Sequence, residues 1–203
     1  MDSYFDRAEK VRRRWDVLAH PFYQRWTCGE LKRTDLAFYA GQYRHAVVAL
    51  AAATARAGHA GHTEEEHSHI ELWDGFLRSV DGDPAATPIS QTAACVTAWA
   101  DPQRDRAATL AALYAIESAQ PAISETKRAG LIEWYGAQCD SDATRYFDVH
   151  AVLDHDHSAH DRRELAAVMA PADESRLLAE TERVLQANWG LLDGVQERII
   201  AAA

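Results

Sequence analysis

Apolar positions recur at helical spacing from the beginning of the chain. Tyr4, Phe5, Ala8, Val11, Trp15 and Leu18 fall on one face of a helix expected over 2–19. His20-Pro21 interrupts it, because proline disfavours helical backbone at the residue before it. Thr34-Asp35 reads as a helix start, and the next helix runs from there to Arg56, with Gly58 and Gly61 as its stop. A third begins near Thr63 and carries EEEHSHIELWDGFLRSV, and DGDPAATP then forms a loop. A fourth helix spans roughly 90–100. Asp101-Pro102 opens a long one, ATLAALYAIESAQ, which Pro121 must kink or break. Helix resumes to about Tyr135, and Gly136 stops it. Ser141 or Asp142 caps DATRYFDVHAVLDHDHSAHDRRELAAVMA, Pro171 ends it, and a last helix covers about 173–200. No alternating strand pattern, repeat or linker interrupts this order. The expectation is an all-α chain of seven or eight helices packed as one bundle-like domain over 1–203.

Composition narrows the function. With 47 % apolar residues the chain can bury a sizeable core. A net charge of -10 argues against nucleic acid as a partner, since phosphate binding needs a basic face. Cys28, Cys95 and Cys139 are odd in number and lack CxxC spacing, which fits a reducing cytoplasm better than disulfides or a zinc ribbon. The opening MDSYFDRAEKVRRRW is too charged for a signal peptide, and the longest apolar run, AVVALAAATA, is about half the ~20 residues of a membrane span. The reading is a soluble, cytoplasmic protein without a membrane partner. A homodimer is the default assembly, with WGLLDGVQERII packing within the chain or across such an interface.

The chemistry concentrates in three segments. In YFDVHAVLDHDHSAH, His150, Asp154 and His157 stand at i, i+4 and i+7 and share one helix face. Two imidazoles and a carboxylate on one stripe suit Fe(II), Mn(II) or Zn(II), whereas His155, Asp156 and His160 point elsewhere. In HTEEEHSHIELW, Glu66 and His69 share a face at the edge of an apolar stripe, with Glu64, Glu65 and His67 turned to solvent. Glu117 lies amid Leu110, Leu113, Tyr114, Ile116 and Ile123, where a carboxylate is costly to bury unless paired or metal-bound. The alternative for each segment is an ordinary hydrophilic helix face. Together they supply three carboxylates and three imidazoles. No HExxH occurs, which disfavours a zinc protease, and no second Glu-x-x-His helix occurs, which disfavours a ferritin-like bundle.

This pattern resembles the heme-oxygenase-like di-metal oxidases and oxygenases, whose ligand order is Glu, His, Glu and a closing His-x3-Asp-x2-His. HPFYQRWTCGELKRTDLAFYAGQYRHAV is similar to the opening helices of TenA-like and PqqC-like proteins, and YAIESAQPAISETKRAGLIEWYG followed by YFDVHAVLDHDHS resembles the CADD-like branch. The resemblance implies a heme-oxygenase-like bundle and two Fe(II) ions, with Mn(II) possible. Glu66, His69 and His157 would hold one ion and His150 and Asp154 the other, with Glu117 bridging. Dioxygen would be the co-substrate, and a small amine or amino acid the substrate. The CADD-like branch makes para-aminobenzoate by consuming one of its own tyrosines, with a lysine as amine source. The matching positions are Tyr23, Tyr39, Lys127 and Tyr146, and Tyr43, Tyr114 and Trp73 join Tyr146 as candidate pocket-lining residues. This chain has a compressed EEEHSH before its first ligand His, so Glu64, Glu65 and Glu66 compete for the first carboxylate position. His62, seven residues before His69, takes the place of that branch's glutamate if no gap is allowed. The competing readings are a metal-free TenA-like hydrolase using Cys139, a heme protein with His20 as proximal ligand, and a non-catalytic binding domain.

Overall fold

The computed structural model describes residues 3–58 and 60–202. Asp2, the expected start of the first helix, lies outside them. Among the described residues there are nine α-helices and no strand: α1 Tyr4–Arg14, α2 Pro21–Thr27, α3 Arg33–Ala57, α4 Ala60–Ser79, α5 Ser90–Trp99, α6 Arg106–Glu117, α7 Gln120–Tyr135, α8 Arg145–Val168 and α9 Glu174–Ala201. No described helix is long and apolar enough to cross a membrane.

Local chemistry accounts for most boundaries. Ser3 and Asp6 form a capping box that starts α1. The helix ends at Arg14, short of the expected 19, because the Asp16 side chain accepts from the Leu18 amide and starts a 3-10 turn instead. His20-Pro21 does more than interrupt. His20 Nδ1 accepts from the Phe22 amide and Pro21 occupies the first turn, so the pair opens α2, the element that the apolar spacing did not reveal. Gly58 ends α3 with φ 86°, a left-handed cap. Gly61 is not a stop, since it lies inside α4, which begins three residues earlier than Thr63. The long helix across Pro121 is two helices: α6 ends at Glu117, and Pro121 sits in the first turn of α7.

The core is held by α3, whose alanine-rich sequence lets α4, α5 and α6 approach closely. α8 packs on α4, α6 and α7, while α9 covers α1, α5 and α6. Three buried indoles fix helix pairs by donating to carbonyls on a neighbour. Trp26 Nε1 donates to Lys127 O (3.1 Å), Trp73 Nε1 to Ala40 O (2.9 Å) and Trp99 Nε1 to Val184 O (3.1 Å). Leu191, Leu192, Val195 and Ile199 of the apolar C-terminal stretch are buried within the chain, whereas Ile200 is exposed.

The α2/α7 contact depends on Gly130, where a Cβ would stand 2.6 Å from Trp26 Cδ1. Gly130→Ala is therefore expected to destabilise the fold by about 1–3 kcal/mol. Circular-dichroism melting checks this, and an unchanged melting temperature would contradict it.

Candidate metal centre

Three helices converge on one buried cluster. α4 contributes His62, Glu66 and His69 at i, i+4 and i+7. α6 contributes Glu117 at its last turn, and α8 contributes His150, Asp154, His157 and Asp161 along one continuous stripe. Glu66, Glu117 and Asp154 are each 1 % exposed and Asp161 is 0 % exposed. Donor atoms gather in three overlapping groups, each within 4.8 Å: Glu66, His69 and His150; Glu66, Asp154 and His157; and His62, Glu117 and His157.

The electrostatics of this cluster are unfavourable for a chain on its own. Burial raises the Glu117 carboxyl well above the usual range, and the carboxylates of Asp161, Asp154 and Glu66 raise it further. Its place at the C-terminal end of α6 adds the negative pole of the helix dipole. Burial also raises Asp161 to about 6. Glu66 differs: burial opposes its ionisation, but the imidazoles of His62 and His69 outweigh that and hold it low. Desolvation likewise depresses His150, whereas Asp154 and Glu65 overcome desolvation at His157 and raise it.

Hydrogen bonding gives the most direct test of fit to a metal. Glu66 Oε2, both oxygens of Glu117 and of Asp161, Asp154 Oδ2, His62 Nε2, His150 Nε2 and His157 Nδ1 are all buried without a hydrogen-bond partner. Buried polar atoms are rarely left so, and a converging set of oxygen and imidazole donors is what a divalent transition ion takes up. His150 is already oriented for this role. Its Nδ1 lies 2.7 Å from the Tyr146 carbonyl, so Nδ1 carries the proton and Nε2 is left to bind a cation. The residues present therefore fit a two-cation site.

Beside the cluster lies a second buried group. Lys127 is 1 % exposed, and its Nζ lies 5.3 Å from the ring centroids of Tyr23 and Tyr39, 4.6 Å from that of Tyr43 and 5.6 Å from that of Trp73. Desolvation drives its amine well below the ordinary lysine range. Tyr23 and Tyr39 hydroxyls share a 3.0 Å hydrogen bond, and burial raises both phenols well above their usual range. Tyr146 connects the two groups, stacking on His150 at 3.9 Å and meeting Trp73 edge-on at 4.8 Å.

Residues 27–190 match the model of a family described as iron-containing redox enzymes. The chain belongs to that family. This iron-containing redox enzyme is 31 % identical to a 4-aminobenzoate synthase of Nitrosomonas europaea, over 98 % of the chain and 94 % of that protein. It is 27 % identical to a 4-aminobenzoate synthase of Chlamydia muridarum, over 96 % and 91 %. Its fold is shared with a heme-oxygenase-like domain of unknown function from Shewanella denitrificans (TM-score 0.77, 16 % identity, 98 % and 94 % covered). A TenA homologue from P. horikoshii is also similar (TM-score 0.76, 14 % identity, 96 % and 98 % covered). The expected heme-oxygenase-like all-α bundle is thus the fold of this enzyme.

All six residues expected as ligands meet in the cluster. His150 lies with Glu66 and His69, and His157 lies both with Glu66 and Asp154 and with His62 and Glu117, because the α8 stripe runs antiparallel to that of α4. Glu64 and Glu65 are exposed, which leaves Glu66 as the inward carboxylate, and Glu65 instead contacts His157 Nε2 at 3.1 Å. His155 and Asp156 are exposed as expected, but His160 is half-buried. Asp161 was not anticipated, although it continues the α8 stripe at i+11. Tyr114 packs on Phe5 and accepts from Arg162, away from Lys127. His20 uses both ring nitrogens, toward Asp193 and the Phe22 amide, which leaves none for a heme. Cys139 is exposed at the surface beside Arg128, unsuited to a pocket nucleophile.

Lys127 gives a pH test that needs no metal. Its folded-state pKa is depressed, so between that value and its unfolded value near 10.5 the native state binds fewer protons, and stability rises with pH across that window. Lys127→Met should remove this slope and stabilise the protein near neutral pH by roughly 1–3 kcal/mol. Chemical denaturation at several pH values measures both, and an unchanged slope would show that the amine is not desolvated.

Proposed function

We propose that the enzyme binds two Fe(II) ions in this cluster and uses dioxygen to oxidise a small amine or amino-acid-like substrate. The observation that carries the reading is the convergence of buried, unpartnered carboxylate and imidazole donors from α4, α6 and α8. Glu66, His69 and His150 would hold the inner ion, next to Tyr146, and His157 with Glu117 the outer one. Asp154 stands between His157 and Glu66, its Oδ1 3.4 Å from His157 Nδ1. Mn(II) is the other cation this donor set would accept. Bound iron would supply the electrons that reduce dioxygen. The chain's own part is to fix the donors, keep the imidazole tautomer of His150 through the Tyr146 carbonyl and exclude bulk water from the inner end. The three free cysteines agree with work in a reducing cytoplasm.

A second reading is favoured by the lysine chamber. Burial favours the neutral form of the Lys127 amine, the form that carries a free lone pair. Lys127 is enclosed by Tyr23, Tyr39 and Tyr43 within one aromatic layer of the cluster, and the relatives named above are 4-aminobenzoate synthases. In this reading the oxidised substrate is Tyr23 or Tyr39 of the chain itself, and Lys127 supplies the nitrogen of a 4-aminobenzoate product.

Anaerobic loading should give about two irons per chain, fewer in His150→Ala, with oxidation of the iron when dioxygen is admitted. Absence of bound iron in the wild-type protein would sink the proposal. Intact-mass measurement after reaction separates the two readings. An unchanged mass with many turnovers supports an external substrate. Loss from the chain of a tyrosine side chain and of the Lys127 nitrogen, with about one product per chain, abolished by Tyr23→Phe or Tyr39→Phe, supports the chain as substrate.

A further inference from the structure

Two groups at the outer end of the cluster stand apart from the six expected ligands. Asp161 follows His157 by one turn of α8, is fully buried, and has no hydrogen-bond partner for either carboxylate oxygen. The charged groups that act on it most are Glu117, His62 and His157, followed by Glu164. His62 lies opposite on α4 with its side chain 8 % exposed. Its unpartnered Nε2 is 3.5 Å from Glu117 Oε1 and 3.6 Å from Glu66 Oε1. The His62 and His157 rings lie 3.9 Å apart, so both imidazoles reach the same point as Glu117.

We propose that His62 and Asp161 are ligands of the outer metal position, so that eight side chains rather than six hold the two ions. The inference rests on the two-ion reading above. Charge supports it. Glu66, Glu117, Asp154 and Asp161 are four buried carboxylates, and two divalent cations carry the four positive charges that match them. A six-ligand centre leaves Asp161 as a further buried carboxyl beside Glu117, balanced only by the nearby imidazoles of His62 and His157 and a proton shared with Glu117. Position supports it too, since the His62 ring gathers with Glu117 and His157, and Asp161 stands one turn of α8 beyond His157 on the same stripe. An outer ion held by His62, Glu117, His157 and Asp161 would carry four side-chain donors, against the three of Glu66, His69 and His150 at the inner ion, the one beside Tyr146 and the lysine chamber.

The rival role for Asp161 is a positioning one, as a hydrogen-bonding carboxyl that only orients Glu117. Mn(II) titration with free ion read by electron paramagnetic resonance separates the two, using wild type, Asp161→Asn and His62→Phe. The asparagine keeps a hydrogen-bonding group beside Glu117, and the phenylalanine keeps a ring beside His157. As ligands, both residues are needed for the second ion: wild type should bind two, and each variant should keep one while the other weakens roughly tenfold or more. Two ions bound with wild-type affinity in both variants would overturn the proposal while leaving the two-ion reading intact. Fewer than two ions in wild type would remove that reading, and this inference with it. Melting of the metal-free proteins adds a second check. Asp161→Asn relieves repulsion and should melt no lower than wild type, whereas a lower melting point would mark Asp161 as a structural anion and overturn its ligand role.

Discussion

The structure depends on the cost of placing four carboxylates in a dry helical core. Glu66, Glu117, Asp154 and Asp161 are each almost completely buried, and most of their oxygens lack hydrogen-bond partners within the chain. Imidazoles resolve this at Glu66 but not at Glu117 and Asp161, whose carboxyls stay raised, and His150 is itself held toward its neutral form by desolvation. The two divalent cations proposed for the cluster would supply the missing charge and the missing partners together. Metal binding should accordingly be part of the stability of this fold as well as of its chemistry.

The remaining architecture serves to bring those donors together and keep water away. Three indole-to-carbonyl hydrogen bonds set the spacing of α2 on α7, α4 on α3 and α5 on α9. The small side chains of α3 allow α4 to lie close to it, with His69 and Glu66 directed toward α8. The break between α6 and α7 leaves Glu117 at a helix end that disfavours its charge, which a cation bound there would offset. On the far side of Trp73 and Tyr146, the same packing encloses Lys127 among tyrosines. The cluster of candidate metal ligands and a desolvated amine thus sit one aromatic layer apart, in a chain belonging to a family of iron-containing redox enzymes.

Much of this was legible in the sequence because helices turn spacing into direction. His150, Asp154 and His157 could be placed on one face by their intervals alone, and Glu117 stood out as an acid in an apolar run. One ligand candidate escaped, and another was visible only as an alternative to Glu66. His62 was placed by its ungapped seven-residue interval from His69, but Gly61 and Thr63 read as a stop and a start, and only the true beginning at Ala60 puts His62 in phase with both Glu66 and His69. Asp161 was hidden by its surroundings, since HDHSAHDRRE offers several acids and histidines and composition does not say which face inward. Extending the stripe by one more turn selects it. The enclosure of Lys127 could not be derived from SETKRAG, a polar-looking stretch whose buried face is decided by α2 and α3.

The central claim is that buried carboxylates await two cations. The most direct measurement is the melting temperature of chelator-treated protein as Fe(II) is added anaerobically in defined ratios. The account requires a steep rise that saturates at two ions per chain, because each ion removes uncompensated charge from the core. A melting temperature that does not respond to added iron would contradict it.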